Sequence, residues 1–121
     1  MRSIFVAVLA FLAAGCQTPG EVLTNDVRLE VRSTKNPQEA AYCVAANAER
    51  IRLMMNNTTS VTTRPGLVAG SFEVVSASWG SAYSVTVVAP APGGSRITVR
   101  HRPAQPVWGT GTLAEQLARG C

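Results

Sequence analysis

The stretch SFEVVSASWGSAYSVTVVA, residues 71–89, contains two runs rich in β-branched and aromatic residues on either side of Gly80 and Ser81. Residues of these types are enriched in strands, and a two-residue connection that contains glycine is typical of a tight β-hairpin. We therefore predict two antiparallel strands, at residues 71–79 and 82–89, joined by a turn at Gly80-Ser81. This hairpin is the centre of the predicted sheet.

Two further runs outside the hairpin alternate between apolar and polar residues. VRLEVRS, Val27–Ser33, and RITVRHR, residues 96–102, each place every second residue on the same side of a strand. The turn PAPGG at residues 90–94 separates the second run from the hairpin, and a weaker strand signal at residues 59–64 stops at a proline and a glycine. Together these runs predict a largely antiparallel sheet of about four strands.

Two helices are predicted from their capping signals. Asn36 can cap a helix that begins at Pro37 and continues to about residue 54, with Glu39 at the third helical position. Thr112 and Glu115 repeat this capping-box arrangement near the C-terminus. The second helix has about two turns and is too short to be stable alone in water.

One face of the longer helix is apolar on a 3.6-residue period. Asn47 falls in the middle of this face, and we expect its amide to be buried and hydrogen-bonded to a neighbouring strand or loop. The apolar residues of this face are Ala40, Cys43, Val44, Ile51 and Met54.

The order strand, helix, three strands, helix predicts a single α+β domain, residues 26–121, in which both helices cover one face of the sheet. An all-β sandwich with a single helix is the alternative. The sheet residues that we expect beneath the helices are Val27, Leu29, Val85, Val87, Ile97 and Val99.

The first 15 residues have the pattern of a signal peptide. Arg2 precedes an unbroken apolar stretch, IFVAVLAFLAA at residues 4–14, which has the length of a secretory h-region. The stretch is too short to span a bilayer, because a spanning helix needs about 20 apolar residues. We therefore expect residues 1–15 to be removed on export, and residues 16–25 to form a tether with a reach of about 30 Å.

Gly15 followed by Cys16 resembles the lipobox of bacterial lipoproteins, in which the cysteine becomes the lipidated first residue of the mature chain. The resemblance covers residues 1–16 and implies acyl chains such as palmitate on Cys16, and a membrane lipid anchor. Gln17 stands where many such lipoproteins carry an aspartate that retains them at the inner membrane, which implies the outer membrane, facing the periplasm. Plain secretion after cleavage at small residues is the alternative.

The chain has three cysteines, and an odd number would leave one thiol unpaired in an exported protein. Lipidation of Cys16 would leave an even pair. We expect Cys43 and Cys121 to form a disulfide, because the export signal places the domain in an oxidising compartment. This bond would hold the short C-terminal helix against the longer one.

Alternation in the first and last strands puts several arginines on the sheet face away from the helices. Five arginines on one surface would attract phosphates or carboxylates. The alternative is that they only make the surface soluble, with Glu30 and Glu73 neutralising part of the charge. The candidate anion-binding face consists of Arg28, Arg32, Arg96, Arg100 and Arg102.

Trp79, Tyr83 and Trp108 lie in or beside predicted turns. Aromatic residues exposed at such positions often anchor protein interfaces, so these three are candidate contacts with a protein partner. The alternative is that they close the ends of a small core.

The sequence offers little material for catalysis, since His101 is the one histidine and Asp26 the one aspartate. No enzyme activity, cofactor or metal is expected, because the cysteines already have other roles. Basic strands with few interleaved aromatic residues do not favour nucleic acid. We therefore expect a non-catalytic accessory lipoprotein that binds an envelope protein. The alternative is a module that binds an anionic envelope molecule, such as a lipid or lipopolysaccharide phosphate, or peptidoglycan.

Overall fold

A computed structural model of the chain describes residues 17–54, 59–103 and 105–121. Within these residues it has an α+β fold with five strands and three helices, one strand and one helix more than predicted. The elements are α1 Pro19–Val22, β1 Val27–Ser33, α2 Pro37–Arg50, β2 Ser60–Pro65, β3 Phe72–Ser78, β4 Ser81–Ala91, β5 Gly94–His101 and α3 Leu113–Ala118. The predicted signal peptide and Cys16 lie outside the described residues.

The five strands form one sheet in the order β1-β5-β4-β3-β2, and every neighbouring pair is antiparallel. The strands thus have two common ends. The Gln17 end contains the first residues of β1, β2 and β4 and the last residues of β3 and β5. The Cys121 end contains the opposite ends of the five strands.

The turn of the central hairpin is Trp79-Gly80, one residue earlier than predicted, because Ser78 pairs with Ser81. Trp79 has φ 53° and Gly80 has φ 75°, so both central residues are in the left-handed region. Two such residues are what a tight hairpin turn with the twist of the flanking strands requires. The prediction of Gly80-Ser81 was wrong because tryptophan seldom occupies a left-handed turn position.

Helix α2 begins as predicted, since the Asn36 side chain accepts a hydrogen bond from the Glu39 backbone N–H at 2.9 Å. It ends at Arg50 and not near residue 54, because Ile51 is extended, with φ −72° and ψ 134°. The buried residues of α2 that pack on the sheet are Ala40, Ala41, Val44 and Ala48.

The prediction that Val85 and Val87 lie beneath the helices is wrong. Val85 pairs with Val75 on the opposite face of the sheet. An extra residue in β4 changes the side-chain pattern there, because Ser76 pairs with Ser84 whereas Ala77 pairs with Ala82. Tyr83 is this extra residue and packs with Val88 in the helix-side core. Since β4 is the central strand and apolar on both faces, alternation alone could not assign its faces.

Val27 was also assigned to the core, but it is exposed. The pairing of β1 with β5 shifts register between Val27 and Leu29, so alternation is broken at the start of β1. Leu29 and Val31 pack against the helix-side core as expected, together with Ile97 and Val99.

The segment predicted as a tether is packed on the sheet from Gln17 onward. Thr18 caps α1 by accepting a hydrogen bond from the Glu21 backbone N–H at 3.2 Å. Val22 is fully buried against Val75 and Val85, on the face away from α2 and α3. Residues 17–25 therefore do not form an extended spacer.

The predicted disulfide between Cys43 and Cys121 is confirmed, with a Cα–Cα distance of 5.7 Å. The prediction that the Asn47 amide is hydrogen-bonded is confirmed, because it donates to the carbonyl oxygens of Leu117 at 2.9 Å and Arg119 at 2.8 Å. Asn47 is half-buried and not buried, and its partners lie in and just after α3 and not on a strand or loop of the sheet. The end of α3 is therefore held to α2 by a covalent bond and by hydrogen bonds from one side chain.

Candidate functional site

Two extended segments pair at the Gln17 end, one after α2 and the other between β5 and α3. Leu53 and Val107 form an isolated antiparallel bridge. Two backbone hydrogen bonds flank this bridge, from Met54 N–H to the Pro106 oxygen (3.3 Å) and from Trp108 N–H to the Arg52 oxygen (2.9 Å). Leu53 and Val107 are buried, so neighbouring side chains project outward. Trp108 is 59% exposed and Met54 46% exposed as a result.

A groove of about 560 Å³ lies between these segments, the start of α3 and the start of β1. Its lining is mainly apolar, from Met54, Pro106, Val107, Leu113 and Ala114. Arg28, His101 and Glu115 bring ionisable groups to the same groove. We refer to it as the bridge groove. Its mixture of apolar lining with a few charged groups is typical of sites that bind a peptide or a small ligand.

Arg28 reaches the bridge groove because of the irregular start of β1. The register shift between Val27 and Leu29 breaks the alternation that would have put Arg28 on the face with Arg32. Arg28 instead lines the groove with His101. It is therefore not part of the predicted arginine face.

His101 is buried at the end of β5 and is hydrogen-bonded through Nδ1 to the carbonyl oxygen of Arg102, at 2.7 Å. Because a carbonyl oxygen only accepts, the neutral ring carries its proton on Nδ1 and leaves Nε2 as an acceptor. Burial lowers the pKa of His101 and the positive charge of Arg28 lowers it further, although the bond to the Arg102 oxygen opposes both effects. Burial therefore favours the neutral form of the imidazole.

Side chains near the C-terminal end of α3 hold the loop that precedes this helix beside the bridge groove. Gln116 Nε2 donates to the carbonyl oxygens of Trp108 at 3.0 Å and Gly111 at 3.1 Å. Arg119 donates to the Thr110 oxygen at 2.6 Å. These bonds fix the glycine-containing loop before α3. The groove therefore has a defined shape.

Three of the five predicted arginines share the sheet face away from α2 and α3. Arg32 is directly opposite Arg96 in the pairing of β1 with β5, and Arg100 lies on the same face further along β5. Glu30 neutralises part of this charge, with its Oε1 3.2 Å from Arg96 Nε. Arg102 follows β5 and is half-buried, and its backbone N–H donates to the Tyr83 oxygen at 2.9 Å.

The three predicted aromatic contacts have different surroundings. Trp79 is 80% exposed at the tip of the hairpin, and Trp108 is exposed on the segment that pairs with residues 52–54. Tyr83 is fully buried, so its side chain is a core residue and does not reach a partner. Burial raises the pKa of the Tyr83 hydroxyl, although the hydroxyls of Thr59 and Ser76 act in the opposite direction.

Sequence reasoning missed the bridge groove. Met54 was placed on the buried face of a longer helix, and residues 103–107 were interpreted only as a proline-rich connection. The two prolines that precede Val107, at positions 103 and 106, were the available signal, because proline favours an extended backbone. The pairing partner of that segment lies about 50 residues away in the chain and could not be inferred from local sequence.

Comparison with known protein families, with curated proteins and with solved structures finds no match to this chain. None of the helices in residues 17–54, 59–103 and 105–121 is long and apolar enough to cross a membrane. In the same residues, no group of three His, Cys, Asp or Glu side chains is placed to hold a metal ion. The function must therefore be inferred from the groove and the exposed side chains.

Proposed function

We propose that the protein is a non-catalytic accessory lipoprotein, anchored through Cys16 in the outer membrane and facing the periplasm, that binds a protein partner of the cell envelope through the bridge groove. The observation that carries this proposal is a mainly apolar groove lined by the exposed Met54, with the exposed Trp108 next to Val107 on the segment that pairs with Leu53. Tryptophan is enriched among the few residues that contribute most of the binding free energy at protein interfaces.

The geometry of the groove supports a partner with an extended or turn-like segment. Its apolar lining would receive apolar side chains of that segment, and Arg28 at one side would favour a carboxylate. Because the loop before α3 is already fixed by Gln116 and Arg119, a partner would not have to order it. Binding to a preformed surface loses less conformational entropy than binding to a mobile one.

Site-specific photocrosslinking in the native envelope tests this proposal. A photoreactive amino acid replaces Gln105, which lines the groove, in the full chain; the matched position is Gln38, an exposed glutamine on the first turn of α2. We expect one defined protein to be crosslinked from position 105 and not from position 38. The crosslink should be lost in a Trp108→Ala variant.

Tyr42→Ala is the matched control for Trp108→Ala, because Tyr42 is an aromatic residue that is 78% exposed on α2, outside the groove. This variant should keep the crosslink. Equal capture from positions 105 and 38, or equal loss in the two aromatic variants, would exclude the bridge groove as the binding surface.

A second candidate function is the binding of an anionic envelope molecule on the arginine face. The observation in its favour is the direct cross-strand pairing of Arg32 with Arg96, since like charges opposite one another are unfavourable unless an anion lies near them. The pairing of Arg96 with Glu30 weakens this argument. Salt distinguishes the two functions, because binding through arginines weakens steeply as salt rises and an apolar contact changes little.

A further inference from the structure

The first described residue of the chain is fixed at one end of the sheet, beside the hairpin tip. The carbonyl oxygen of Gln17 accepts a hydrogen bond from the Ala82 backbone N–H at 3.0 Å, and the Gln17 N–H donates to Ser81 Oγ at 3.1 Å. The Gln17 side chain also accepts from the Asn25 amide at 3.2 Å. Gln17 therefore lies immediately next to the Trp79-Gly80 turn.

Helix α1 keeps Gln17 at this position, because moving Gln17 away would break contacts between the helix segment and the sheet. Val22 is fully buried against the sheet, and the Asn25 side chain donates to the His101 oxygen at 3.4 Å. Cys16 is the next residue toward the N-terminus, and consecutive Cα atoms are about 3.8 Å apart. If Cys16 carries acyl chains, these chains start at the Gln17 end of the sheet.

Trp79 lies at the same end and is held out from the protein. Its side chain is 80% exposed, and its backbone has φ 53°, a conformation that is unfavourable for residues other than glycine, asparagine and aspartate. A tryptophan at this position loses contact with the core and strains the turn. Such an arrangement is retained where the exposed side chain has a role.

The other exposed groups at the Gln17 end fit a lipid surface. Trp108, Met54 and Val27 add apolar area there. Arg28 is exposed at the start of β1, so it adds positive charge at the same end. Indole rings favour the interface between headgroups and acyl chains, and basic residues favour lipid phosphates.

We propose that the Gln17 end of the sheet faces the phospholipid bilayer, with the Trp79 indole inserted at the level of the headgroups. This inference rests on the proposed lipid anchor at Cys16 and adds an orientation to it. The domain then lies on the membrane surface and is not held away from it by a spacer. A partner of the bridge groove must meet the protein at that surface.

Fluorescence quenching in vesicles tests the orientation. The full chain is expressed in a bacterium, extracted from the membrane and reconstituted into phosphatidylcholine vesicles with or without bromine atoms on the acyl chains. In a Trp108→Phe variant Trp79 is the one tryptophan, and we expect brominated lipid to quench most of its emission. The matched control carries Leu67→Trp with both native tryptophans replaced by phenylalanine. Leu67 is 96% exposed in the loop at the Cys121 end, so this indole should not be quenched.

Intact-mass measurement of the same preparation separates the possible failures. An acylated protein whose Trp79 is not quenched, or is quenched no more than the tryptophan at position 67, overturns the orientation and leaves the proposed anchor unaffected. A protein without acyl mass overturns the anchor, and the orientation with it. Acyl mass together with quenching of Trp79 and not of position 67 supports both.

Discussion

The two ends of the sheet differ in what their residues do. At the Cys121 end the chain is closed by the Cys43–Cys121 disulfide, and Ser33 Oγ donates to the Cys121 oxygen. Lys35 Nζ donates to the Gly120 oxygen at 3.4 Å and Ser95 Oγ to the Lys35 oxygen at 3.0 Å. At the Gln17 end, Trp79, Trp108 and Met54 are exposed, and Met54 lines an open groove.

This difference shows that stabilising contacts and exposed apolar groups need not occupy the same part of a small domain. The Cys121 end also has exposed apolar residues, Leu67 and Val68, but they lie on a loop beyond the strand ends. We expect an open groove and a strained turn at the same end of the sheet to lower local stability there. We infer that the locked end compensates for the open one, and mutations at the two ends should therefore have different effects.

The largest effect should come from the disulfide at the Cys121 end. Replacing Cys43 and Cys121 with serine should lower the free energy of unfolding by about 4 kcal/mol, the value expected for a closed loop of this length. Urea denaturation followed by circular dichroism measures the change. Reduction of the unsubstituted protein should have a similar effect. A loss below about 1 kcal/mol in both experiments would mean that hydrogen bonds from Asn47 and Ser33 hold the C-terminus without the disulfide.

The next largest effect should come from Gly94, the first residue of β5. A Cβ atom there would overlap the backbone of Ser33 and Thr34, so Gly94→Ala must push β1 away from β5. We expect a loss of about 3 kcal/mol, at the upper end for overpacking.

Gly93→Ala is the matched control, because a Cβ atom at Gly93 meets nothing within 4 Å. Its φ of 79° still makes alanine unfavourable, by about 1 kcal/mol. Urea denaturation of the two variants gives the comparison. Equal losses would show that the close approach of β1 and β5 at this point does not contribute to stability.

The Cys121 end was the more predictable of the two from sequence. The parity of the cysteines led to the disulfide, and the capping residues Asn36 and Thr112 correctly marked where α2 and α3 begin. The apolar face of α2 also led to a hydrogen-bonded Asn47. These features follow from the spacing of nearby residues or from the number of cysteines, and a single sequence contains both kinds of information.

The Gln17 end was less predictable because its features depend on irregular backbone or on distant pairing. The extra residue at Tyr83 and the register shift after Val27 break the alternation on which face assignments rest. The packing of α1 depends on Val22, with Leu23 beside it, and on apolar residues on the outer face of β3 and β4. Three of the five predicted arginines share a face because their strands are regular there, whereas Arg28 lies at the irregular start of β1.

The smallest effect concerns pH at the Gln17 end. Burial and the charge of Arg28 lower the pKa of His101 below its ordinary 6.5, so the folded state binds a proton less readily than the unfolded state. Below about pH 6.5 the unfolded chain therefore holds more protons, and the free energy of unfolding should fall as the pH decreases. One group can change it by at most about 1.4 kcal/mol per pH unit. Urea denaturation at a series of pH values between roughly 5.5 and 7, above the range where carboxylates titrate, measures this slope.

His101→Gln provides the control, since His101 is the one histidine in the sequence and glutamine keeps an N–H that can donate to the Arg102 oxygen. The slope should disappear in this variant. If stability instead rose as the pH fell, the folded protein would be binding the proton more tightly. A carboxylate near the groove, such as that of Glu115, would then have to outweigh burial and Arg28. The groove would in that case favour a positively charged segment of the partner and not a carboxylate.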